Sequence, residues 1–144
     1  MAQFVMQYLV DRAGRTKDFF IDSAGVSREE IGNGVDFRTV RTLQNHGIPC
    51  GKHFARQITK RDYENFDYLV AMDENNLWAM KRFYGQDEKN KFYKMTQFAL
   101  NIEDWIDSPN VADPWYTGDF ETTFDVIWEN CQAFFEKLTT GPRV

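Results

Sequence analysis

No run of apolar residues in this chain approaches the length of a membrane-spanning helix, and no secretory leader is expected. Cysteine is scarce. Cys50 and Cys131 stand far apart without metal-ligand spacing, and two histidines complete a donor set too poor for a structural zinc. The same scarcity rules out a disulfide framework and points to a reducing, cytoplasmic setting. No metal and no cofactor is expected. An excess of basic residues is missing too: 17 Lys and Arg stand against 22 Asp and Glu, for a net charge of -5. The one basic cluster is local (Lys52, Arg56, Lys60, Arg61), so general nucleic-acid binding is excluded. Internal repeats, low-complexity tracts and linkers are absent.

What remains is a globular composition over 144 residues, enough for a single domain with one sizeable core. Its organising stretch runs from His46 to Leu77. Tyr68 to Met72 is a short apolar run bounded by Asp67 and Asp73, the form of a buried parallel strand. Asp73 then predicts an N-cap, followed by an amphipathic helix to about Phe83 that Tyr84 and Gly85 break. Upstream, Thr59 and Asp62 have capping-box spacing and open a short helix toward Phe66. This is a βαβ-type rhythm, in which function gathers at the open end after the strand.

Elsewhere, residues 1–13 read as a helix stopped by Gly14. Phe19 to Ile21 suits a short strand, and the small residues after it permit a sharp turn or a close backbone approach. Asp36 caps a helix from Phe37 to about Asn45, with Val40, Leu43 and Gln44 on one side and His46-Gly47 ending it. Lys91 to Thr96 reads as an edge strand. Residues 99–119 read as a long loop carrying Trp105, Trp115 and Tyr116, large aromatics that loops seldom display without a use. A final helix from Phe120 to Leu138 places Phe124, Ile127, Trp128, Cys131, Phe134 and Phe135 on a core face.

Several of these segments, in this order, resemble the low-molecular-weight protein tyrosine phosphatases. They are Asp22-Ser-Ala-Gly25, His46-Gly-Ile48, His53 to Thr59, Phe66 to Asp73 with Glu74 and Asn76, and Asp113-Pro-Trp-Tyr116. The resemblance implies an α/β, flavodoxin-like three-layer sandwich around a short parallel sheet. It also implies a phosphocysteine mechanism acting on a phosphotyrosine protein or a small aryl phosphate.

One departure is prominent. The family's first strand and its Cys-x5-Arg loop precede a helix that opens with Met-Ala or a similar pair, and here Met1-Ala2-Gln3 occupies that opening. The expectation is therefore an N-terminally truncated domain over 1–144, without its central strand and inactive as it stands. Unpaired sheet edges would then drive rearrangement or a homodimer. Cys50 and Arg56 do have Cys-x5-Arg spacing. The bulky residues between them are unsuited to a phosphate cradle, which needs inward-facing N–H groups.

The resemblance makes Asp113 the catalytic acid, on a loop stiffened by Pro114 and desolvated by adjacent aromatics. Trp115 and Tyr116 become walls for the phenyl ring. His53 and Asn75 become braces of the phosphate loop. Relatives often carry an aromatic where Glu29 stands. Against these roles stand plainer readings: a turn before proline, packing on the last helix, and satisfied polar groups. An alternative function is a non-catalytic phosphate- or protein-binding relative. Arsenate reduction is disfavoured because residues 73–95 hold no cysteine, and arginine phosphatase activity because the acid loop is aromatic.

Overall fold

The computed structural model describes residues 1–28 and 31–140. Its centre is a parallel pair of strands, β1 (Leu69–Ala71) and β2 (Phe92–Lys94), in the register Leu69 to Phe92 and Ala71 to Lys94. Helix α4 (Glu74–Tyr84) links them as a crossover, capped by the Asp73 carboxylate accepting the Asn76 N–H at 2.8 Å. At its far end Gly85 turns at φ +82°, where a side chain would be strained. The capping box of α3 (Lys60–Asn65) forms as expected, with Asp62 bonding back to the Thr59 N–H.

Alternation along β1 builds two cores, one on each face of the sheet. Leu69 and Ala71 join Leu77, Met80 and Phe92 beneath α4. Tyr68, Val70 and Met72 turn to the opposite layer. That layer holds α1 (Ala2–Arg12), α2 (Phe37–Asn45) and the long α7 (Phe120–Thr140). Val5, Val10, Leu43 and Cys131 there are almost fully buried, and α1 and α2 both pack against α7. The result is a three-layer α/β arrangement around a small parallel sheet. Among the described residues no helix is long and apolar enough to cross a membrane.

Three expectations change. Phe19 to Ile21 is no strand: Phe19 is extended, but Phe20 is 80% exposed and no backbone ladder forms there. An extended segment becomes a strand only when a partner supplies hydrogen bonds. Here the first such contact is the isolated parallel bridge of Gly25 with Gln57. The stretch 99–119 is partly ordered, by α5 (Gln97–Leu100), a 3₁₀ turn at Trp105–Asp107 and α6 (Pro114–Thr117). On α2, Thr42 joins Leu43 inside while Gln44 lies outside; the Thr42 hydroxyl is satisfied by the Arg38 carbonyl at 2.9 Å.

Asp36 caps α2 through the Arg38 N–H at 2.8 Å and also receives the Arg38 guanidinium as a fork, at 2.9 and 3.2 Å. The guanidinium's hydrogen bonds hold this carboxyl below its ordinary range. Asp36→Ala is expected to cost about 1 kcal/mol, the usual worth of a cap, read as a lower urea midpoint.

Candidate active site

The segment that delivers Asp113 is fastened to the sheet before it reaches the surface. Lys94, at the end of β2 and 1% exposed, donates from Nζ to the Ser108 carbonyl at 2.7 Å. The Thr96 hydroxyl donates to the Pro109 carbonyl. Asn110 accepts the Glu74 N–H at 2.9 Å, and the Val111 N–H meets the Met72 carbonyl at 2.8 Å. Beyond, Thr123 of α7 donates to the Ala112 carbonyl at 3.1 Å. Buried donors and acceptors are costly to leave unpaired, so this set fixes where residues 108–112 run.

Asp113 then stands exposed at the N-cap of α6, accepting the Trp115 N–H at 2.9 Å, with Pro114 at the first helical position. The expected desolvation by its neighbours is not seen. Trp115 is 64% exposed and takes the Arg38 guanidinium over its ring at 5.0 Å, while Tyr116 is 84% exposed. Arg38 also lies 4.8 Å from the centre of the Phe120 ring. It thus ties α2 to α6 and α7, a role that the sequence signals only as an arginine two residues after a cap.

His53 lies beside the Asp22-to-Gly25 turn. Its Nε2 is 3.0 Å from the Ser23 hydroxyl, which also donates to Gln3 Oε1 at 2.6 Å, and its ring meets Phe4 edge-on. Ser23 and Gln3 were not singled out from the sequence; Ser23 lies within the Asp22-Ser-Ala-Gly25 turn, the signal that marked its neighbourhood. Asn75 sits exposed in the first turn of α4, and no side-chain hydrogen bond reaches it from the described residues. Glu29 lies outside the described residues.

Neither sulfur is set up as a nucleophile. Burial pushes the Cys131 thiol up to about 12, and Cys131 is 1% exposed. Burial also raises Cys50, which packs against the main core and donates weakly to the Gly51 carbonyl. Arg56, the other half of the Cys-x5-Arg spacing, is engaged elsewhere. It forks onto Asp62 at 2.9 and 3.1 Å and bonds Asp22 at 3.0 Å.

Asp113, Ser23 and Cys131 line a common cavity of about 830 Å³ that runs between residues 19–26 and β1. Ser23 also borders a smaller neighbouring pocket of about 190 Å³, which His53 lines. Ser23 thus borders both openings, Asp113 lines only the larger and His53 only the smaller, and Trp115 and Tyr116 line neither.

The family model described as low molecular weight phosphotyrosine protein phosphatase matches residues 1–142. The chain belongs to this family. It is 37% identical over 139 residues to the human low molecular weight phosphotyrosine protein phosphatase, covering 95% of this chain and 85% of that protein. A Drosophila melanogaster phosphatase of the family is 33% identical over 140 residues, covering 95% and 86%. Among solved structures, YfkJ from Bacillus subtilis superposes with a TM-score of 0.88 at 27% identity, over 99% of this chain and 87% of that one. The α/β fold around a small parallel sheet is thus one that this chain shares with a solved structure.

Proposed function

We propose that this chain is a protein tyrosine phosphatase domain of this family, and that residues 1–144 do not by themselves turn substrate over, because burial keeps both of their cysteines as thiols. In this reading Asp113 protonates the leaving phenol of a phosphotyrosine protein or a small aryl phosphate and then activates water. Trp115 and Tyr116 flank the ring, while His53 and Asn75 brace a phosphate loop. The observation carrying the proposal is the fastened segment that sets Asp113 on the rim of a cavity whose only cysteine, Cys131, is held as a thiol by burial.

The test is turnover of a phosphotyrosine peptide by this chain, beside a form extended at the N-terminus by a strand and a Cys-x5-Arg loop. Turnover is expected from the extended form alone. Turnover by the chain itself, lost in Cys50→Ser, would overturn the proposal. Peptide affinity without turnover in both forms would favour the non-catalytic binding role instead. In the extended form, Trp115→Ala is expected to raise KM for aryl phosphates by up to about tenfold, the worth of one aromatic contact. An alkyl phosphate should respond little, and an equal rise for both would remove Trp115 from the ring wall.

A further inference from the structure

The inner end of the segment leading to Asp113 is fastened to the sheet, but its outer end, α6, has little of its own to hold it. None of its four residues, Pro114–Thr117, is buried. The backbone bonds of the turn are local: the Tyr116 and Thr117 N–H groups reach the Asp113 carbonyl at 3.1 and 3.2 Å, and the Gly118 N–H reaches the Pro114 carbonyl at 2.8 Å. A short exposed turn with few buried contacts opens easily unless another element pins it. The Asp113 carboxylate belongs to this turn, because one of its oxygens accepts the Trp115 N–H at 2.9 Å. A displaced Trp115 therefore displaces the acid.

A line of contacts runs from the core to that oxygen. Leu43, fully buried, anchors α2 in the core it shares with α7. At the start of α2, Asp36 caps the helix through the Arg38 N–H and receives the Arg38 guanidinium on both oxygens, at 2.9 and 3.2 Å. Both bonds form in one orientation of the planar fork, so the attitude of the guanidinium is set. Its central carbon lies 5.0 Å from the centre of the exposed Trp115 ring and 4.8 Å from that of Phe120, which is 9% exposed. One cation thus holds the indole of α6 to the first residue of α7 and the first turn of α2.

We infer that Arg38 is a positioning residue for Asp113. Held by Asp36, it pins Trp115, and through the Trp115 N–H it keeps the carboxyl where the leaving oxygen of a phosphotyrosine would meet it. The plainer role for Arg38 is an ion pair at the start of a helix, and α6 would then be indifferent to its loss. The inference rests on the acid role proposed for Asp113, but the pinning of α6 does not, so the two are read separately.

The test is Arg38→Met, which removes the fork and the cation but keeps the backbone N–H that Asp36 caps, so α2 keeps its start. In the chain as it is, NMR order parameters of the 115–118 amides are expected near about 0.85, falling below about 0.6 in Arg38→Met while those of α2 stay unchanged. In the form extended by a strand and a Cys-x5-Arg loop, kcat on a phosphotyrosine peptide should fall by about tenfold to a hundredfold, the scale of a misplacement near 1 Å. With p-nitrophenyl phosphate, whose leaving group needs no proton, the fall should be less than about twofold. Added to Asp113→Asn, Arg38→Met should lower kcat no further, because an absent acid cannot be misplaced. Arg38→Lys, which keeps the charge without the fork or the planar stack, should behave like Arg38→Met. Order parameters at 115–118 that are already low, or that Arg38→Met leaves unchanged, would overturn the inference. So would an equal loss on both substrates, a further loss in the Asp113→Asn background, or full activity in Arg38→Lys. An extended form that turns over neither substrate would instead remove the phosphatase reading, and the order parameters alone would then decide the pinning.

Discussion

In the form extended by a strand and a Cys-x5-Arg loop, Asp113→Asn is expected to lower kcat on a phosphotyrosine peptide by about 10² to 10⁴-fold, the usual contribution of a positioned general acid. Asparagine keeps the carbonyl oxygen that accepts the Trp115 N–H at 2.9 Å, so α6 keeps its cap while the transferable proton is lost. Asp113→Ala removes both. If proton donation is the role, the two variants fall together. If Asp113 only starts the turn, the asparagine form retains most activity. Leaving groups give a second reading. A tyrosine phenol, with a pKa near 10, needs its oxygen protonated as the bond to phosphorus breaks, whereas the far more acidic p-nitrophenol departs unaided. The loss should therefore be much smaller with p-nitrophenyl phosphate. An equal loss on both substrates would sink the acid assignment.

Arg56→Met is expected to destabilise the fold by about 2 kcal/mol at neutral pH. Asp62 is 7% exposed and receives both arms of the guanidinium, so the substitution strands a carboxylate with little besides the Thr59 N–H for company. Breaking a fully buried pair costs about 3–5 kcal/mol; the lower figure reflects an Arg56 side chain that is 34% exposed and screened by solvent. The pH dependence follows from the same contacts. Burial works to raise the Asp62 carboxyl, but the bonds from Arg56 and Thr59 outweigh it and hold the group below its ordinary range. A depressed carboxyl contributes stability that is complete above the unfolded value, near 3.9, and disappears as pH falls through the lower folded value. Urea midpoints should thus separate the two proteins most at pH 7 and converge below about pH 4. A gap that persists unchanged at pH 3 would assign the effect to packing of the Arg56 stem instead.

The local grammar of the chain was legible wherever one residue's chemistry decides the backbone. Asp36, Thr59 with Asp62, and Asp73 each predicted a helix start, and each forms its cap. The apolar run at Tyr68 to Met72 was readable because a strand buried on both faces has no polar alternation to hide it. Phe19 to Ile21 was misread for the complementary reason. Its composition suits a strand, but pairing belongs to the neighbour, and no described segment lies alongside. The turns within 99–119 escaped notice because helices of three or four residues have too few positions to display a period.

By itself, then, the sequence determined the family, the order of the longer helices and the two parallel strands, since caps, breakers and apolar periods act over a few residues. It also singled out Asp113 and His53 by their motifs. Only the tertiary structure decided that Lys94, Thr96 and Asn110 fasten the segment leading to Asp113, that Arg38 lies over the Trp115 ring, and that Arg56 is occupied by Asp22 and Asp62. Those are contacts between groups far apart in the chain, and their partners are chosen by burial and unmet hydrogen bonds, which no local pattern encodes.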